Sequence, residues 1–142
     1  AEVFVAACPA DLPACLREPV GVVVQTTQTR AALDAVEAAL RARGVNPEVK
    51  NTICSATSQR QEAAAELAGE VDAIVVVGGR NSSNTTRLAD ICAASCPRTY
   101  HIESPDEVDP AWFAGCESVG VTAGASTPEA HIAAVVARLE AL

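Results

Sequence analysis

Methionine is missing altogether from the 142 residues, and aromatics are nearly so, with one Trp, one Tyr and two Phe. The interior must therefore come from Ala, Val, Leu and Ile, a small-residue stock that suits close packing of helices on a sheet. Basic residues are also scarce, with 10 Lys and Arg against 18 Asp and Glu and a formal charge of −8. This excludes a nucleic-acid binder working by bulk charge, because neutralising phosphates takes a basic surface. Docking on an anionic membrane is disfavoured for the same reason. Hydrophobic residues reach 49 %, yet the unbroken apolar runs, such as Ile74–Val77, are far too short to span a bilayer. No basic stretch followed by an apolar stretch opens the chain, so no signal peptide is read and a cytoplasmic location is expected. A start at Ala1-Glu2-Val3-Phe4 without an initiator reads as a processed product or a piece of something longer.

Six cysteines are present, Cys8, Cys15, Cys54, Cys92, Cys96 and Cys116, but no Cys-x-x-Cys pair and no zinc-finger spacing. A cytosolic chain disfavours disulfides. All but Cys54 are expected to be small buried apolar residues. Cys54 stands in Asn51-Thr52-Ile53-Cys54-Ser55-Ala56-Thr57, just ahead of a helix start. There the helix dipole stabilises a thiolate, for which metal ligation is a natural use, although most lone cysteines are inert.

What is present alternates strand with helix through short polar joints, the pattern of an α/β protein with mostly parallel sheets flanked by helices. Val3–Ala6 is expected as a short strand, and Val20–Gln25, a β-branched run, as a strand covered on both faces. Arg30–Arg43 carries a helical stripe of Ala32, Leu33, Val36 and Leu40, stopped by Gly44, and Val45–Ile53 returns extended. Ser58 and Gln61 form a capping box for a helix over Gln59–Ala68. Asp72–Val77, Thr99–Ile102 and Glu117–Thr122 read as strands, Ser83–Ala94 as a helix and Pro105–Phe113 as short helical turns. The last helix is expected to begin with Ser126 and Glu129 in capping-box register, with Pro128 in its first turn. A seam falls near residues 51–57, and the two or three strands before it are too few to close a doubly wound sheet.

Three strand-to-helix joints share a composition: Gln25-Thr26-Thr27-Gln28-Thr29, Gly78-Gly79-Arg80-Asn81-Ser82-Ser83-Asn84, and Thr122-Ala123-Gly124-Ala125-Ser126-Thr127. Free backbone N–H groups and the helix dipole favour an anion at such a joint, and ligands of open α/β sheets sit at that edge. Ordinary N-capping needs one Ser, Thr or Asn, whereas Asn81-Ser82-Ser83-Asn84 supplies four polar residues in a row. That surplus points to a small anion such as phosphate, held by hydroxyls and amides, with only Arg80 and Arg87 nearby. Neither a Walker loop nor a G-x-G-x-x-G turn is present.

Ile53-Cys54-Ser55-Ala56-Thr57, Arg60-Gln61-Glu62-Ala63, Val76-Val77-Gly78, Asn81-Ser82-Ser83-Asn84 with Arg87-Leu88, and Gly120-Val121-Thr122-Ala123-Gly124-Ala125-Ser126 stand in the order and spacing of one enzyme family. With Gln25-Thr26-Thr27, they closely resemble 4-hydroxy-3-methylbut-2-enyl diphosphate reductase, the IspH or LytB family of the non-mevalonate isoprenoid pathway. The resemblance implies a three-lobed α/β protein around a 4Fe-4S iron–sulfur cluster, each lobe giving one Cys. It matches Cys54 to a cluster ligand, Ser82, Ser83, Asn84 and Ser126 to the diphosphate site, and Thr26 and Thr27 to threonines beside the substrate. The implied chemistry is a two-electron reductive dehydroxylation, fed by a donor such as ferredoxin or flavodoxin.

The family's other cluster cysteines, its histidines and its acidic proton donor have no counterpart here; His101 and His131 fall at no family position. The expectation is a C-terminal portion of such an enzyme, with residues 1–52 the later part of the second lobe and 53–142 the third. Such a piece should be inactive alone, should lack a bound cluster, and should tend to self-associate. A stand-alone phosphate-binding α/β module without redox activity is the alternative, and a flavodoxin-like or periplasmic-binding-like half-domain is a weaker one.

Overall fold

The computed structural model describes residues 2–142. The chain divides into two compact units, Ala1–Ser58 and Gln59–Leu142.

In the first unit, strands β1 (Gly21–Val23) and β2 (Glu48–Lys50) pair in parallel with Val22 opposite Val49, connected by helix α1 (Arg30–Ala42). Thr29 caps α1 by accepting from the Ala32 N–H at 3.2 Å. Gly44, at φ +80°, lets the chain turn back so that Val45 N–H reaches Leu40 O at 3.1 Å. Leu33 and Leu40 are the buried positions of α1.

Two expectations fail in this unit. Val3–Ala6 forms no strand, and Val3 and Val5 are 88 % and 92 % exposed. A β-branched run needs a neighbouring strand, and the described residues offer none to this segment. Likewise β1 is three residues long and open to solvent, with Val23 77 % exposed, rather than covered on both faces.

Helix α2 (Ser55–Glu70) starts four residues earlier than the capping-box reading placed it. The N–H groups of Thr57 and Ser58 both donate to Cys54 O, at 2.9 and 3.0 Å, so Cys54 holds the cap position and Ser58 lies within the helix. A capping box at Ser58 therefore does not form.

The second unit is built on β3 (Ala73–Val77), flanked by β4 (Thr99–Ile102) and β5 (Val119–Ala123), all parallel in the order β4-β3-β5. Every residue of β3 is fully buried, as expected of a central strand with helices on both faces. Ile74 and Val76 pack on one face against Ala64 and Ala68 of α2 and against Leu88 and Cys92 of α3 (Ser83–Ser95). Val75 and Val77 pack on the other against Ile102, Val108 and Val135, the last on α4 (Glu129–Glu140). Trp112 and Phe113 close that side; the Trp112 ring stacks on Tyr100, with centroids 4.3 Å apart. At the opposite end of the sheet from the polar joints, the Asp72 carboxylate accepts from the N–H groups of Glu117 and Ser118 at 2.8 and 3.0 Å. Those bonds hold its acid well below the ordinary carboxylate range.

The cysteines divide differently from expectation. Cys92 and Cys96 are buried, and Cys116 is half-buried. Cys8 and Cys15, expected to be buried, are exposed. Among the described residues no helix is long and apolar enough to cross a membrane.

Candidate functional site

Parallel pairing puts the carboxyl ends of β3, β4 and β5 along one edge, and the polar joints leave from that edge. Ser82 caps α3: its Oγ accepts from the Thr85 N–H at 3.4 Å, which leaves its own hydroxyl proton available to donate. Ser83 is exposed in the first turn. Asn84 is 6 % exposed and Thr85 fully buried, and neither the amide atoms of Asn84 nor Thr85 Oγ1 has a hydrogen-bond partner. An unpaired buried polar atom costs about 1–3 kcal/mol. Of the three, Asn84 Nδ2 is a donor at a helix N-terminus where N–H groups already face outward, and an anion there would satisfy it, whereas Asn84 Oδ1 can only accept.

The β5–α4 joint meets the α3 joint at Gly78 and Gly124. Gly124 N–H and Thr127 Oγ1 both donate to Val77 O, at 3.0 and 2.9 Å, tying this joint to the last residue of β3. Gly78, at φ +145°, donates to Ile102 O at 2.9 Å, and a side chain there would strike Thr127 Oγ1 at 2.7 Å. His101 Nε2 lies 2.8 Å from Gly78 O, and since a carbonyl only accepts, that nitrogen carries a proton. Ser126 is exposed on the turn between Gly124 and Thr127. It does not cap α4: Pro128 holds the cap position and no side chain bonds the first N–H groups. The expected Ser126–Glu129 box is therefore absent, because the Gly124–Thr127 turn delays the helix by two residues.

Arg80 does not serve the joint as a free cation. Its guanidinium pairs with Glu103 at 3.1 Å and with Glu107. The pairing pushes the Arg80 pKa up and, with the N–H groups of Glu103 and Ser104, holds Glu107 below the ordinary range. Arg87, one turn into α3, makes no ion pair among the described residues. The donors in the joint itself are thus neutral, with Arg87 one turn away as the cation outside any ion pair among the described residues.

In the first unit, Thr26 O accepts from the Cys54 N–H at 3.0 Å. Thr52 Oγ1 accepts from Val24 N–H at 3.2 Å and bonds Val24 O, joining the carboxyl ends of β1 and β2. Thr26, Thr27 and Cys54 therefore share the carboxyl edge of that sheet, with Thr26 and Cys54 exposed and Thr27 half-buried. Among the described residues no three His, Cys, Asp or Glu side chains converge as a metal-binding set. One thiolate fits one corner of an iron–sulfur cluster and does not hold four irons, so no reaction step can be drawn through a cluster from these residues. Sequence reasoning stopped at Asn84 on this joint and missed Thr85; the hydroxyl run Thr85-Thr86 after Asn84 was the available signal.

Fold and edge together define an open α/β protein whose strand-to-helix joints gather neutral donors at the carboxyl ends of parallel strands. The chain belongs to the LytB protein family, whose family model matches residues 2–140. It is 54 % identical over 123 residues to a 4-hydroxy-3-methylbut-2-enyl diphosphate reductase of Citrifermentans bemidjiense, covering 87 % of this chain and 44 % of that protein. The protein of the same description from Anaeromyxobacter sp. (strain K) is 47 % identical over 131 residues, covering 92 % of this chain and 47 % of the relative. A solved structure of (E)-4-hydroxy-3-methyl-but-2-enyl diphosphate reductase, described as the terminal enzyme of the non-mevalonate pathway, is 46 % identical. It superposes with a TM-score of 0.63 over 87 % of this chain and 44 % of its own. A solved E-1-hydroxy-2-methyl-but-2-enyl-4-diphosphate reductase of Plasmodium falciparum, at 24 % identity and a TM-score of 0.81 over 91 % of this chain and 41 % of its own, shares the fold. The chain thus spans less than half the length of the relatives it matches.

Proposed function

We propose that this chain is part of a cytoplasmic 4-hydroxy-3-methylbut-2-enyl diphosphate reductase and supplies its diphosphate-binding edge and one cluster ligand. In this reading Ser82, Ser83, Asn84 and Ser126 bind the diphosphate, Thr26 and Thr27 lie beside the rest of the substrate, and Cys54 is one thiolate ligand of a 4Fe-4S cluster. Residues 1–52 belong to the second lobe and 53–142 to the third lobe of a three-lobed protein. The remaining ligands and the proton donor come from elsewhere in the whole enzyme, which takes electrons from a ferredoxin or flavodoxin.

The observation that carries the reading is Asn84, buried at the N-terminus of α3 with both amide atoms unpartnered and the β5–α4 joint alongside. A diphosphate there is held by neutral donors whose positions the sheet has fixed, so binding does not depend on ordering long charged side chains. The part this chain plays is to hold and orient the anion end of the substrate.

The test is reduction of 4-hydroxy-3-methylbut-2-enyl diphosphate by the whole protein under a strong reductant. Activity that disappears in Cys54→Ser supports the proposal. Unaltered turnover in Cys54→Ser removes the cluster role. Absence of any reduction, with phosphate binding retained, leaves a phosphate-binding module instead.

A further inference from the structure

Thr85 lies where the two anion-binding joints touch, yet it makes no side-chain hydrogen bond. Its side chain is fully buried. A Cβ placed on Gly124 would overlap Thr85 Oγ1 and come 3.4 Å from Thr85 Cβ. One placed on Gly78 would meet Oγ1 at 2.9 Å and Cγ2 at 3.1 Å. The Thr85 side chain is therefore wedged against the strand ends of β3 and β5 and held there by packing. Gly124 is not among the glycines of positive φ, so its backbone accepts alanine; the chief obstacle to a side chain there is Thr85.

We propose that Thr85 is a positioning residue for anion binding. By filling the space between Gly78 and Gly124 it fixes the distance of Ser82, Ser83 and Asn84 on α3 from Ser126 on the β5–α4 turn. Thr127 and Gly124 anchor that turn to Val77 O, and Thr85 sets α3 against the same point. This inference rests on the reading of the two joints as one anion site. Donors on two separate elements reach one diphosphate only if their separation is fixed, and a displacement of about 1 Å is enough to lose much of the benefit.

The experiment follows pyrophosphate binding by NMR, together with hydrogen exchange of the Thr127 amide, which donates to Gly124 O at 3.0 Å. Gly124→Ala should raise the Kd about tenfold, equivalent to ~1.4 kcal/mol, and speed Thr127 exchange. Gly124→Ala combined with Thr85→Ala removes the Oγ1 that the new Cβ would strike and fills part of the gap from the other side, and should restore both readouts to within roughly threefold, a coupling that independent sites do not show. Thr85→Ser keeps the hydroxyl wedge and should bind as the unaltered chain does, whereas Thr85→Ala alone should bind several-fold more weakly.

Equal Kd values for Thr85→Ala and the unaltered chain overturn the inference, as does a double variant that stays impaired. If Gly124→Ala fails to fold, the Ser and Ala variants at Thr85 decide. If pyrophosphate binds no form of the protein, the anion-site reading fails by itself. Thr127 exchange then judges the wedge: faster in Gly124→Ala and restored in the double variant supports it, and no change overturns it.

Discussion

Replacing Asn84 by alanine should weaken anion binding and raise the stability of the unliganded fold at the same time. Asn84 buries two polar amide atoms with no hydrogen-bond partner. Leaving such groups dry costs about 1–3 kcal/mol each, and truncation removes that cost. The lost packing of the amide cancels part of the gain, so a net stabilisation of about 1 kcal/mol is expected, a rise of roughly 3 °C in Tm for a chain of this length. Loss of a neutral donor to the anion should cost about 1 kcal/mol, near a fivefold increase in Kd. Thermal denaturation with and without pyrophosphate reads both signs. At about ten times Kd the unaltered chain gains ~1.4 kcal/mol from the ligand, and Asn84→Ala should gain visibly less from a higher starting Tm. A lower Tm together with unchanged anion stabilisation would show that the amide serves packing, and the argument from its unpaired atoms would fail.

Thiol labelling of the native chain should modify Cys8, Cys15 and Cys54 quickly, because they are exposed. Cys92, whose pKa burial pushes up to about 11, and Cys96 should react only on unfolding; rapid native labelling of either contradicts the described core. Acid should destabilise the second unit through Glu107, whose pKa Arg80 holds below its ordinary 4.5. A lowered folded pKa gives stability that is present above 4.5 and is lost as pH falls through the depressed value. Glu107→Gln should flatten that acid limb in Trp112 fluorescence melts, and an unchanged limb refutes the assignment. The exposed Val3, Val5 and Val23, next to an apolar groove lined by Phe4, Val22, Leu33 and Val36, should drive self-association. Light scattering should show mass rising with concentration and less so in Val23→Lys; a monodisperse monomer at high concentration would count against this.

Much of the second unit was legible because β3 announces itself as Ile74-Val75-Val76-Val77 between turn residues, and α3 begins where Ser82 can cap it. The first unit was read less well for a physical reason. A β-branched run such as Val3-Phe4-Val5 states a preference for an extended chain, but strand formation needs a partner, which local sequence does not reveal. Caps misled in the same way at Ser58 and Ser126. Each has an acid or amide three residues on, yet the Cys54 carbonyl and the Gly124–Thr127 turn fix the real starts. The donor-rich joints could be read one at a time, but their meeting depends on the β3–β5 register that sets Val77 beside Ala123. For that reason the packing of Thr85 against Gly78 and Gly124 and the bond from Thr127 to Val77 O could not be read before the fold.

The most direct test of the central claim is a pyrophosphate titration of the unaltered chain followed by amide shifts. The account predicts saturable shifts at Ser82, Ser83, Asn84, Ser126 and Thr127 with a Kd near 1 mM, about −4 kcal/mol, the range expected for a few neutral donors. Shifts confined to scattered surface amides, with both joints silent, would show that these residues only shape the helix starts, and would contradict it.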